Sequence, residues 1–269
     1  MILKINQTAS NGNNHFLITS GENLLYQAHT PWFPILPIDS TAKLSLMNAQ
    51  GEILYQTEYS FMNNLTEELI PYKYLFTGSQ KFHCYTIVDT MGNQQGAFFV
   101  EAIGIMNQRI CLEYQGKLLV GYKRSAGSME YVSFYDDVTL AGQLSKSNKI
   151  VADNKDHYMI HFVEGYEGLE PILAFFAIYY DFMYHNNSGE VHKGYKSSYK
   201  VTYHKNNNKY DPDFISRNFG EEERLRMNEY FKASAAASST LNMKTFWLIF
   251  GISWGVALLI AAIVLLLVL

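Results

Sequence analysis

Residues 169–181 of this 269-residue chain read L-E-P-I-L-A-F-F-A-I-Y-Y-D, and the stretch from Pro171 to Tyr180 carries no charge. Pro171 suits a first helical position, where its missing N–H loses no intrahelical bond, and the residues after it are apolar on every side. A helix of that kind must be buried all round. The run is much shorter than the ~18 residues a membrane span requires, and Glu170 and Asp181 bracket it, so the medium that buries it is protein.

The surroundings are written in residues 15–165, where short apolar, aromatic and β-branched stretches alternate with Gly, Asn and Asp turns. Four hairpins stand out. L-S-L-M-N-A-Q-G ends at Gly51 and is followed by E-I-L-Y-Q-T-E-Y; Y-T-I-V-D-T-M-G ends at Gly92 and is followed, after a gap, by A-F-F-V-E-A. I-C-L-E-Y-Q-G-K-L-L-V-G-Y-K turns at Gln115-Gly116, and Y-V-S-F-Y-D-D-V-T-L-A-G-Q-L at Asp136-Asp137. So many strands with open edges would aggregate unless the sheet closes on itself or is covered. The sequence therefore predicts a mainly β protein, a barrel or closed sandwich, and only a barrel interior buries the apolar helix on every side. Composition agrees: 15% aromatic and 17% charged residues suit a β-rich or membrane-associated chain and exclude a disordered one.

A β-meander that ends in one hydrophobic helix resembles the tubby C-terminal-like fold, shared by tubby proteins, phospholipid scramblases and LURP-one-related proteins. The resemblance rests on Y-T-I-V-D-T-M-G-N-Q-Q-G, Q-R-I-C-L-E-Y-Q-G-K-L-L-V-G and E-P-I-L-A-F-F-A-I-Y-Y-D, and covers about residues 15–185. It implies a closed antiparallel barrel of twelve strands in a domain spanning 1–186, around a central helix near 170–184. The proline-rich leader and lipidated cysteine cluster of scramblases have no counterpart here. Tubby proteins bind phosphoinositides through basic residues on the barrel surface, but Lys73, Lys117, Lys123 and Arg124 do not align with them individually, so no site residue is transferred.

Residues 187–244 change character and read as a polar linker and stalk. Lys193, Lys196, Lys200, Lys205 and Lys209 fall in a stretch without acids from Val191 to Tyr210, and between 195 and 204 tyrosines alternate with cations. Beside a membrane such a segment holds anionic headgroups; as an ordinary solvated edge its lysines oppose aggregation. Glu221, Glu222 and Glu223 ahead of Arg224 and Arg226 mark the start of a helix, with acids placed to suit its dipole. From Thr245 to Leu269 no side chain is charged, a length of roughly 37 Å as a helix at ~1.5 Å per residue, enough for a bilayer core of about 30 Å. This predicts a single-pass C-terminal transmembrane anchor. Arg226, Lys232 and Lys244 against Glu229 on its near side, and no signal peptide at the start, place the N-terminal domain in the cytoplasm. The sequons at Asn6 and Asn64 carry no weight there. Gly251 and Gly255 form a G-x-x-x-G step suited to homodimer packing, or to no more than a lipid-facing anchor.

Catalytic motifs are missing: there is no G-x-S-x-G, Walker loop, H-E-x-x-H or G-x-G-x-x-G. His157 and His161 share a face with Asp153 and Asp156 nearby, a conceivable metal site but more ordinarily a pair of strand histidines. His83 and Cys84 point to opposite faces of a strand, and Ser197-x-x-Lys200 lies in polar linker. Cys84 and Cys111 are too few for a disulfide framework. A formal charge of −4 gives no bias toward nucleic acid. The expectation is a non-enzymatic, cofactor-free and metal-free protein at the membrane that binds phospholipid headgroups or a protein partner. The alternatives are a membrane-tethered enzyme with a site in a barrel cavity near His157, His161 or Asp181, and a scramblase-like lipid transporter.

Overall fold

The computed structural model describes residues 1–9, 14–31, 43–59, 64–65, 67, 73–104, 107–148, 155–185 and 209–231. Twelve antiparallel strands form a closed barrel in which every consecutive pair is hydrogen-bonded and the last strand returns to the first. They are β1 (Ile2–Ala9), β2 (Asn14–Ser20), β3 (Asn23–Thr30), β4 (Ser45–Asn48), β5 (Ile53–Tyr59), β6 (Gln80–Asp89), β7 (Gln94–Gly104), β8 (Asn107–Tyr114), β9 (Lys117–Ala126), β10 (Met129–Asp136), β11 (Thr139–Ser147) and β12 (His157–Phe162). The closing strand lies ahead of the region that the turn pattern marks. Ile2 to Ala9 pairs with β12 in the register Leu3↔Ile160 and Ile5↔Tyr158, so Leu3 and Ile5 point into the core.

Turn chemistry explains most of the register. Gln115 and Gly116 both have positive φ (49° and 80°), the two-residue turn whose twist matches the flanking strands. The β10–β11 turn is centred one residue later than its sequence suggests. Asp137 takes the positive φ of 54°, while Asp136 ends β10 and holds Lys117 and Tyr166 with its carboxylate. Gly96 meets a different demand: a Cβ there would fall 2.0 Å from the carbonyl oxygen of Glu113, so only glycine lets β7 and β8 approach.

The apolar helix occupies the interior as expected. Helix α1 (Tyr74–Thr77) is a single turn between β5 and β6, and helix α2 (Glu170–Tyr184) runs down the barrel axis with every residue from Ile172 to Phe182 buried. Phe98 packs edge-on to Phe175 (5.5 Å) and stacks with Tyr179 (5.1 Å), and Phe134 meets Phe176 at 4.9 Å. Each such ring contributes roughly 1.5–3 kcal/mol by leaving water. The barrel thus has an entry end, where α2 begins and Tyr26 bonds Glu170 (2.9 Å), and an exit end, where α2 stops.

Two further helices lie against the outer wall. Helix α3 (Phe214–Phe219) and helix α4 (Glu221–Tyr230) bury Phe214, Ile215, Met227 and Phe231 against Met129, Tyr131 and Met159. The part of the linker and stalk from 209 to 231 is therefore packed on the barrel, because its few apolar side chains converge across the Gly220 bend. No helix among the described residues is long and apolar enough to cross a membrane. The proposed span, with Gly251 and Gly255, lies outside the described residues, as do Lys193, Lys196, Lys200 and Lys205.

Candidate functional site

At the exit end α2 is tied to the wall by buried charge. Tyr180 donates to Glu130 (2.6 Å), Tyr158 donates to Asp181 (2.6 Å), and His185 Nε2 lies 2.8 Å from the same Glu130 oxygen. Lys146 pairs with Asp156, and Lys123, which points inward, lies 3.6 Å from Glu130 and 4.4 Å from the centre of the Tyr184 ring. A carboxylate left alone here would cost several kcal/mol, so each one faces an ammonium or a hydroxyl. Burial, reinforced by Lys146, pushes the His185 imidazole down to about 3. It is neutral at physiological pH and donates its Nε2–H to Glu130. The network fixes the helix; with α2 filling the axis, a ligand is left the outer surface.

A groove of about 460 Å³ opens on that surface, between the β10–β11 wall and the chain from Tyr210 through α4. Its floor is Tyr131 and Gln143; its sides carry Asp213, Glu221, Arg224 and Asn228. Strand alternation sets the floor: Val132, Phe134 and Leu144 point into the core, which turns Tyr131, Ser133, Gln143 and Ser145 outward. The Tyr131 and Tyr210 rings lie 4.8 Å apart, and the Arg124 guanidinium lies 5.0 Å over Tyr210. Arg224 Nε is held by both Glu221 oxygens (2.9 and 2.8 Å).

Gln143 is 2% exposed, and its Nε2 has no hydrogen-bond partner. It sits in a cross-strand row, Ser133↔Gln143↔His161, in which Ser133 Oγ and His161 Nδ1 also lack partners. Under α4, His161 Nε2 is 3.2 Å from Glu223 Oε1. Burial lowers the His161 pKa while Glu223 opposes it, so Nε2 carries the proton and Nδ1 is a bare acceptor.

The residues that the sequence nominated are dispersed. Lys209 is fixed on the outer wall, its Nζ 4.7 Å from the Tyr135 ring centre and 5.4 Å from that of Tyr122, while the Tyr135 hydroxyl donates to its carbonyl (3.1 Å). His157 and His161 lie on one outer face but serve different partners, Asn6 and Glu223, and Asp156 belongs to Lys146 inside the barrel. Asp181 is spent on Tyr158. Both cysteines are free thiols, and burial, with Glu101 beside it, pushes the Cys111 thiol up to about 12. Asn64 is buried with its amide bonded both ways to the Cys84 backbone, out of reach of glycosylation. Half of the groove lies in a segment whose polar composition presents it as linker; the local signal for it is Phe214, Ile215, Met227 and Phe231, apolar among charges.

No family model, curated protein or solved structure matches the chain.

Proposed function

We propose that this is a non-enzymatic binding module of the tubby-like kind, anchored in the membrane by residues 245–269 with its barrel on the cytoplasmic side, and that Lys193, Lys196, Lys200, Lys205 and Lys209 contact anionic phospholipid headgroups. The observation that carries this reading is the shared exit. The lysine segment leaves the barrel after His185 at the end of α2, and the chain toward the apolar tail leaves after Phe231, beside Tyr230, which bonds Asn6 opposite the first residue of β12. Both departures are at the exit end, which also displays Leu75 and Phe76 on α1 at 62% and 85% exposure, while the far end of the lysine segment, Lys209, is held on the wall at Tyr135, next to the β10–β11 turn of the entry end.

Reach supports it too. Residues 232–244 separate the last described residue from the apolar run, which at ~3.3–3.6 Å per residue keeps the exit end within about 50 Å of the bilayer. That tether is short enough to let the lysines reach an anionic surface, where each contributes roughly 1 kcal/mol within about a Debye length. The filled barrel axis favours binding on the outside over chemistry in a lumen, and Gly251 and Gly255 suit pairing of two spans.

The test is flotation of a protein ending at residue 240, which keeps every described element, with phosphatidylcholine vesicles alone or mixed with phosphatidylserine over a salt series. Binding to the mixed vesicles that weakens with salt, and that drops at least tenfold when the five lysines become glutamine, is expected. No flotation at low salt, or binding indifferent to lipid charge, removes the headgroup role.

A further inference from the structure

We infer that the groove between the barrel wall and α3–α4 binds a neutral polyhydroxyl ring, a sugar of about hexose size. Its volume of about 460 Å³ falls in the ordinary range for small-ligand sites, ~300–1,000 Å³. The lining decides the chemistry. Gln143, 98% buried, presents an Nε2 donor without a partner and so calls for an acceptor oxygen. Asp213 on the side accepts only, and so calls for a donor, whereas the Glu221 carboxylate is already taken by Arg224. A hydroxyl supplies both from one atom, and a ring carrying several supplies them in several directions. The Tyr131 and Tyr210 rings, packed on each other 4.8 Å apart, border the groove with apolar edge.

Other ligand classes fit less well. Two carboxylates against Arg224, which is itself held by Glu221, leave the lining with a formal charge of −1, and that repels phosphate, sulfate and carboxylate groups. An ammonium ion has no oxygen for Gln143. An extended peptide would seek a strand edge, and the closed barrel has none. The inference rests on other residues than the headgroup reading: Lys209, the one of the five lysines among the described residues, does not line the groove.

The experiment is saturation-transfer NMR on the full chain in nanodiscs, with glucose, galactose, mannose and N-acetylglucosamine as probes. Transfer to the ring C–H protons of at least one sugar is expected, with affinity reduced about fivefold in Gln143→Leu, the loss of one hydrogen bond. Asn228→Ala, on an exposed position of α4, should weaken binding without risk to the fold. Nanodiscs carrying glucosylceramide separate the sources. Tighter binding there, competed by free glucose, assigns a glycolipid headgroup; no gain assigns a soluble sugar. The inference fails if no sugar shows transfer at tens of millimolar, or if folded Gln143→Leu and Asn228→Ala both bind like the parent.

Discussion

His185 ends α2 in a setting that only the neutral imidazole tolerates. Its Nε2–H meets Glu130, the rings of Tyr158 and Tyr180 flank it, and Lys146 and Asp156 complete the charges that face it. The folded value near 3 lies below the ordinary 6.5, so between these values the unfolded chain binds a proton that the folded chain does not. Stability is therefore fully present above pH 6.5 and is lost as pH falls through that window, with a slope approaching ~1.4 kcal/mol per pH unit. His161, also lowered by burial, adds in the same direction. Carboxylates held low by their partners, such as Asp89 and Asp136, enter only at lower pH. Urea titrations at pH 7 and pH 5 should show a clear loss in the parent and a smaller one in His185→Gln, whose amide still donates to Glu130. Equal losses would falsify the assignment.

At the scale of elements, α3 and α4 behave as part of the wall. Phe214 is 1% exposed among Met129, Tyr131 and Met159, so Phe214→Ala should cost about 3–5 kcal/mol, whereas Leu225→Ala, at 51% exposure on the same helical pair, should stay within about 0.5 kcal/mol. Chemical denaturation separates these outcomes, because a stalk detached from the barrel would make the two substitutions alike. The pair also marks where sequence reading stops. The hairpins at Gly51, Gly92 and Gln115-Gly116 are legible because a turn residue and strand alternation act within a few positions of each other, and α2 because ten uncharged residues admit only burial. In α3 and α4 the apolar contact is divided between two short helices around Gly220, and neither half forms a stripe. The closing strand β1 meets its partner more than 150 residues away, as Ile2↔His161, and no local pattern announces that pairing. For the same reason the pairing of Lys146 with Asp156, which the sequence offers only as a neighbour of the His157 and His161 pair, and a groove joining Gln143 to Asn228 have no signature along the chain.

Among the described residues acidic charge is concentrated at one end of the barrel axis. The entry-end turns and the residues that flank them carry nine carboxylates, among them Glu22, Glu52, Asp137, Glu164 and Glu167, against two ammonium groups, Lys117 and the N-terminus of Met1, which donates to the Phe162 carbonyl (2.8 Å). That is a formal charge of −7 gathered at one end of the barrel. At an anionic bilayer, as proposed above, the acidic entry end would be repelled, and this together with the two departures at the exit end favours one orientation. The ends are separated by a strand length; β7, with 11 residues at ~3.3 Å each, gives roughly 30 Å. A fluorophore at Phe76→Cys, on the exposed turn of α1, and one at Met91→Cys, 82% exposed at the β6–β7 turn, therefore report on opposite faces. In a Cys84→Ser background the remaining native thiol, Cys111, is fully buried and its raised pKa keeps it unreactive. With the full chain in nanodiscs containing quencher-labelled lipids, the probe at 76 should be quenched and the probe at 91 should not. The reverse pattern would overturn the orientation. Quenching at neither site would mean that residues 232–244 hold the barrel away from the surface, where the attraction of its lysines, screened beyond about 8 Å at physiological salt, no longer acts.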